Sequence, residues 1–325
     1  MHDPIIKRGT MVALGFFAWG LVVPVLAAEP AGPRADVVVA AAGGGQFQTV
    51  QAALDSLPVD NRKRTVILIR SGDYPDKVVV NRSFVTLRGE DRKKTRLMAK
   101  VAPGPKLDAS VVVDNASDVT FENLTMLNPL VDRGYVVAFA SHTNATRLAF
   151  SGCDMSSGGG DAISPWSRGQ YYFTNCWLSG TFHFFGPRGN CYVTDCQFWC
   201  LGSKISLFNE GISAPTDKLV IRNSTFDGPT AFGLGSYFRD AAFYFIDCKF
   251  SAKLLANGQL FRNLKNKSSQ DYQMQWGEHR HFFAGCVGPD YPWLKDNIAD
   301  SPAKTKATVT AQWALLDWNP EKTNP

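Results

Sequence analysis

No Cys-x-x-Cys pair occurs among the seven cysteines, at 153, 176, 191, 196, 200, 248 and 286, which argues against structural zinc and thioredoxin-like redox chemistry. Their odd number leaves at least one thiol unpaired. No dense lysine and arginine cluster interleaved with aromatics is present beyond the short run Arg92-Lys93-Lys94, so a nucleic-acid partner is disfavoured. After residue 28 no segment is apolar enough to span a bilayer, so no stable membrane span is expected once that segment is removed. The nearest approach is Met11 to Leu26, broken by Gly15, Gly20 and Pro24. It holds about 16 apolar residues, short of the roughly 20 that a span needs. With Lys7 and Arg8 before it and Ala27-Ala28 after it, residues 1–28 read as a secretory signal rather than a membrane anchor. The expected localisation is export, to the periplasm or the extracellular space.

The formal net charge is +5, and +4 once residues 1–28 with Asp3, Lys7 and Arg8 are set aside. A mildly basic exported protein suits an anionic partner such as an acidic polysaccharide or a membrane surface. A charge of this size is equally compatible with no specific partner.

What the chain does have is a repeat. FENLTM at 121, FSGCDM at 150, FTNCWL at 173, VTDCQF at 193, IRNSTF at 221 and FIDCKF at 245 share one six-residue pattern. Positions one and six are apolar, position three is Asn, Gly or Asp, and position four is Leu, Cys or Ser. The starts are 29, 23, 20, 28 and 24 residues apart. A constant core pattern on a variable period predicts an all-β parallel β-helix, because each coil must return to one stacking position while its loops vary. Cys153, Cys176, Cys196 and Cys248 then form an inward ladder of small apolar side chains interrupted by Ser224. Cys191 and Cys200 lie off it and either pair or stay free.

The segment FQTVQAALDSLP at 47–58 spaces Phe47, Val50, Ala53, Leu54 and Leu57 at helical period, which predicts a helix capping the open end of the stack. TVILIRSGDY and DKVVVNRSFVTLRGE read as strands punctuated by Gly72 and Gly89. The expected organisation is a signal over 1–28, a flexible leader over 29–35 and a single β-helix domain over 36–325. A monomer is expected.

These segments carry a likeness. FQTVQAALDSLP, RTVILIRSGDYPDKVVV, VTLRGEDRKKT, GDAIS at 160–164, GQYYFTNCWLSGTFHFFG at 169–186, YFIDCKF at 244–250 and VTAQWALLDWNPEK at 309–322 resemble the pectin methylesterase family in order and spacing. The resemblance implies a right-handed parallel β-helix and an exported enzyme acting on pectic polysaccharide without metal or cofactor. It also implies two aspartates on neighbouring coils. One, in a Gln-Asp-Thr motif, works as acid and base; the other, in Gly-Thr-Val-Asp-Phe-Ile-Phe-Gly, attacks the methyl ester. An arginine in Leu-Gly-Arg-Pro-Trp keeps the nucleophile ionised, the tryptophan packs on the sugar, and glutamine amides stabilise the oxyanion. Two close carboxylates do not both ionise readily, so one holds a proton while the other, paired with arginine, stays negative.

Carried over by position, the resemblance puts the acid/base aspartate at Asp161, preceded by Gly160 instead of Gln, and puts His183 where the nucleophilic aspartate belongs. LGSYF at 234–238 replaces the arginine with Ser236 and the tryptophan with Phe238, and GYVVAFA at 134–140 lacks a further glutamine. Asn209 is the one amide still placed nearby. Asp161 and His183 stand 22 residues apart, about one coil, so a carboxylate–imidazole pair is expected.

Three readings follow. In the first, His183 is a general base that activates water or a serine (Ser164, Ser167, Ser206 or Ser236), Asp161 orients the ring and raises its basicity, and Asn209 or backbone amides and Arg239 stabilise charge. In the second, the protein is a catalytically inactive β-helix that binds acidic glycan through Arg168, Arg188, Arg239, Trp166, Tyr171, Tyr237 and Phe238. In the third, a low pectinesterase activity persists. A glycosidase would need a second carboxylate, for which Asp154 is the nearest candidate, although its place in FSGCDM favours a loop or turn role. Strand alternation puts His183 outward if Phe182 and Phe184 fill the coil interior. His279 and His281, flanking Arg280, read as surface residues, and 264–273 as a solvated loop.

Overall fold

The computed structural model describes residues 35–102, 108–131, 134–202, 207–208, 217–237, 242–262 and 280–323. The expected signal and nearly all of the leader, Ser206, Asn209, Phe238, Arg239, His279 and the 264–273 segment lie outside the described residues.

The six-residue repeat is one corner of every coil. Its first half ends a strand in a ten-stranded sheet, and its second half begins a strand in an eight-stranded sheet. Position three sits in the turn between them. Asn123, Gly152, Asn175, Asp195, Asn223 and Asp247 all have φ between 47° and 62° there. That left-handed region is costly for residues with a branched or bulky Cβ, while Gly, Asn and Asp enter it readily, which is why those three types recur. Leu124, Cys153, Cys176, Cys196, Ser224 and Cys248 follow directly, all buried. No disulfide links any of the seven cysteines, Cys191 and Cys200 included.

All strand pairings among the described residues are parallel, and register stacks like on like. In the ten-stranded sheet Phe121 pairs with Phe150 and Phe150 with Phe173. Their rings lie 5.1 Å and 4.4 Å apart at interplanar angles of 6° and 7°. In the eight-stranded sheet Phe198, Phe226 and Phe250 repeat the arrangement at 4.5 Å and 4.8 Å. Each ring taken out of water contributes roughly 1.5–3 kcal/mol, so the two stacks together contribute on the order of 10 kcal/mol to the core. The third sheet is in two parts, a four-stranded part ending at Ile163–Pro165 and a three-stranded part beginning at Leu207–Phe208. Among the described residues Phe185 bridges the two, pairing with Ile163 on one side and Leu207 on the other.

One helix closes the first end of the stack, and another covers a sheet face. Helix α1 is Val50–Asp55, shorter than the predicted 47–58 because Thr49 caps it, its side chain accepting from the Ala52 amide, and because Phe47 instead bridges to Val39. Val50, Ala53 and Leu54 face inward and join the same core as Val39, Val78 and Val80, as expected of a cap. Helix α2, Ala311–Leu315, lays Ala311, Ala314 and Leu315 over the outward face of the ten-stranded sheet, against Tyr192, Val220 and Tyr244. Gln170 fixes its end by donating to the Leu315 carbonyl at 2.5 Å and to Asp317 at 2.7 Å.

Candidate active site

Gly158-Gly159-Gly160 leads into Asp161 because this coil lies very close to its neighbours. A Cβ on Gly159 would stand 2.7 Å from Val136, and one on Gly160 would stand 2.6 Å from the Phe182 ring. The glutamine that the resemblance expects at 160 therefore has no room while Phe182 holds its place. Phe182 itself stands at the Val of the Gly-Thr-Val-Asp motif, so the two departures are sterically linked.

Asp161 and His183 occupy matched positions on adjacent coils. The Asp161 amide donates to the Phe182 carbonyl at 3.1 Å, and the Ile163 amide to Phe184 at 2.8 Å, which sets Asp161 opposite His183 in the same register as Ile163 opposite Phe185. Both have left-handed backbones, with φ of 54° and 47°. Aspartate enters this region readily, whereas for His183 the conformation costs on the order of 1–2 kcal/mol, and such strain gathers at functional sites.

Between about pH 4 and pH 7 Asp161 and His183 are both uncharged. Asp161 is 4% exposed. Burial pushes its carboxyl up to about 7, partly offset by the positive charge of Arg188. Burial also pushes the His183 imidazole down to about 4. The proton affinities thus lie in the reverse of their usual order.

Arg188 is the cation whose charge reaches Asp161, and its guanidinium lies over the Trp166 ring, 4.1 Å from the centroid. That contact orients it. Arg168 is half-exposed and donates to Asp217 at 3.2 Å, a carboxylate that is 1% exposed, so most of its charge is balanced. Phe182, 36% exposed, packs edge-on against His183 at 5.2 Å.

Several expected roles change once the packing is known. Phe182 and Phe184 do not share a face: Phe184 is fully buried and Phe182 is exposed, because the left-handed turn at His183 breaks the alternation of a strand. Tyr237 is 4% exposed, packed against Phe243 at 5.5 Å and His281 at 5.1 Å, so it presents no ring to a ligand. Tyr171 is fully buried and bonded to Ser141 and Ser167. Ser164 donates to the Asp161 carbonyl at 2.7 Å and Ser167 to the Ala145 carbonyl at 2.6 Å, so both serve the backbone. Ser236 is fully buried, its Oγ without a hydrogen-bond partner among the described residues. It lies two rungs beyond the coil of His183, roughly 10 Å along the stack. Asp154 holds Arg92 at 2.6 Å and also Lys93 from a strand position, not a turn, so it is no second carboxylate for Asp161. Arg280 is buried and His281 half-buried in a strand, not on the surface.

Two features were missed from sequence, the exposed ring of Phe182 and the action of Arg188 on Asp161. Reading Phe182 against the motif's Val would have signalled the first. Among the described residues no group of three His, Cys, Asp or Glu side chains is placed to hold a metal ion, and no helix is long and apolar enough to cross a membrane.

The fold has known counterparts. A pectin methylesterase from Erwinia chrysanthemi superposes with a TM-score of 0.71 at 19% identity, covering 89% of this chain and 99% of that one. A pectin methylesterase in complex with a hexasaccharide superposes with a TM-score of 0.69 at 19% identity, covering 90% of this chain and 100% of that one. At the sequence level, the Arabidopsis thaliana protein named Probable pectinesterase 49 is 32% identical over 183 residues, 54% of this chain and 50% of that protein. The chain spans about half the length, or less, of the curated relatives it matches. The Pectinesterase family model matches residues 36–209, more than half of the sequence, and the chain therefore belongs to the pectinesterase family.

Proposed function

We propose that the protein is an exported carboxylic ester hydrolase of pectinesterase type, acting on pectin or another acylated acidic polysaccharide, with Asp161 and His183 as its catalytic pair. The observation that supports this best is their placement opposite each other on adjacent coils, both left-handed, with proton affinities pushed apart by burial. A carboxyl that keeps its proton to about pH 7 is a general acid, and an imidazole that stays neutral above about pH 4 is a base at any higher pH.

The reaction follows from those states. His183 takes a proton from water as the water oxygen attacks the ester carbon. Arg188, held over Trp166, stabilises the negative charge that develops on the carbonyl oxygen. Asp161 gives its proton to the departing alkoxide, which leaves as alcohol. The imidazolium then returns its proton through solvent to Asp161, so ester and water become acid and alcohol. Phe182, exposed beside His183, supplies the apolar face for a sugar ring in place of the tryptophan of the family motif. The first 28 residues fit export to the compartment where such a polysaccharide lies.

The test is release of methanol and acetate from highly methylated pectin, acetylated pectin and acetylated xylan, with His183→Ala alongside. The expected result is a bell-shaped pH profile with limbs near 4 and near 7, and a loss of about 10²–10⁴ in rate in the variant. No release from any of the three, or release unchanged in His183→Ala, would overturn the proposal. Retained binding of pectin without release would then favour a glycan-binding β-helix.

A further inference from the structure

The outward face of the eight-stranded sheet carries two tryptophans that the core does not need. Trp177 and Trp199 stand on adjacent strands, ring centroids 5.4 Å apart and planes at 30°. Their neighbours Leu178 and Phe198 point inward and fill the coil, so both indoles lie on the solvent side, each partly exposed. Elsewhere this face presents Asp73, Arg96, Thr125 and Asp154. Leu127 apart, the rest of the face is polar, so the indole pair offers a sugar ring's apolar face a flat surface to pack on.

A groove of about 300 Å³ lies beside Trp199 across the last three strands, lined by residues 197–199, 225–227 and 249–251, Ser251 among them. Gln197, Thr225 and Lys249 occupy one row on consecutive rungs. From Trp177 to Lys249 the row runs roughly 14 Å. Lys249 is exposed and has no ion-pair partner among the described residues, whereas Lys253 is drawn to Asp227 at 3.4 Å and to the Gly228 carbonyl. One positive charge is therefore left unbalanced in a groove that also offers an indole, an amide and two hydroxyls.

We propose that this face is a second saccharide-binding surface, distinct from the cleft at Asp161 and His183, and that its occupant is a chain of uronic acids. The indole of Trp199 takes the apolar face of a sugar ring, Gln197 and Thr225 bond its hydroxyls, and Lys249 pairs with a ring carboxylate. Such a surface keeps a polymer tethered while another stretch of it reaches the cleft. The identity of the sugar rests on the proposed function, but the surface does not.

The experiment is calorimetric titration of the full chain with an unesterified oligogalacturonate and with a neutral galactan oligomer, together with Trp199→Ala, Trp199→Phe and Lys249→Ala. Trp199→Ala is expected to weaken one class of sites about three- to tenfold, with Trp199→Phe in between. Lys249→Ala, a change at an exposed side chain that is expected to leave folding intact, should weaken the same class and remove its salt dependence. Ester release from a small soluble ester stays at the parental rate in all three. Unchanged affinity and stoichiometry in both alanine variants overturns the surface, and equal binding of the neutral oligomer overturns the anionic assignment. If the parent releases no ester yet loses a binding class on Trp199→Ala, the proposed function fails and the surface stands.

Discussion

Two regions of the molecule use the same unusual backbone for opposite reasons. At the corner between the ten-stranded and eight-stranded sheets, Asn123, Asn175, Asp195, Asn223 and Asp247 are left-handed, and so is Gly152. At the cleft, Asp161 and His183 are left-handed as well. The corner residues lie toward solvent, and their types are those the conformation tolerates best. Asp161 is of a type that the turn tolerates but is buried, and His183 is neither Gly, Asn nor Asp, so at His183 the residue type is not the one the turn favours. Stacking imposes the conformation, and the proposed chemistry would account for keeping an imidazole there at a local cost in stability.

Replacing each set with residues of the other logic separates the two. His183→Gly is expected to abolish ester release, a loss of about 10²–10⁴, while raising stability by about 1 kcal/mol as the left-handed strain is relieved. Asn175→Ala is expected to lower stability by about 1–2 kcal/mol with ester release unchanged, since Asn175 contributes a turn and no chemistry. Denaturant titration and methanol release on the two variants read both axes. A His183→Gly protein less stable than its parent would mean that the imidazole is packed for structure.

A smaller effect is expected where the two departures from the motif meet. Gly160→Ala brings a Cβ to 2.6 Å from the Phe182 ring, which must swing away and release its edge-on contact with His183. The expected cost is about 1 kcal/mol or less, because the obstacle is the far end of an exposed side chain. Phe182→Val should abolish that cost, and a double-mutant cycle gives the coupling. Additive effects would mean that Gly160 and Phe182 changed independently.

The contrast also explains what could be read from sequence. The corner was legible because one conformational demand recurs in six coils, and the Asn, Gly or Asp at each third position fixes register for Phe121, Phe150 and Phe173 together. The pairing of Asp161 with the coil of His183 was legible from the 22-residue spacing. The direction of Phe182 was not, because alternation assumes an extended strand and a single left-handed residue cancels it. Tyr237 and His281 were misjudged for a related reason: strands of three or four residues carry too short a pattern to tell the inside from the outside. The role of Arg188 depends on where the chain turns after Pro187, which no periodicity records.

The finest test of the cleft is the pH dependence of stability. Asp161 titrates near 7 in the folded protein and near 3.9 when unfolded, so between those values the folded state binds more protons and its contribution to stability falls as pH rises. His183 titrates near 4 folded and about 6.5 unfolded. Over that window the unfolded state binds more protons, and the His183 contribution rises with pH. From about pH 4 to 6.5 the two slopes oppose each other, so in the parent they nearly cancel. Removing one exposes the other. Asp161→Asn should become more stable relative to the parent as pH rises, and His183→Ala less stable, each by about 1 kcal/mol per pH unit or less after solvent screening. Denaturant midpoints from pH 4 to 7 for parent and both variants measure this directly. Parallel curves for all three would show that neither group is shifted by burial, and the acid and base roles proposed for Asp161 and His183 would lose their physical basis.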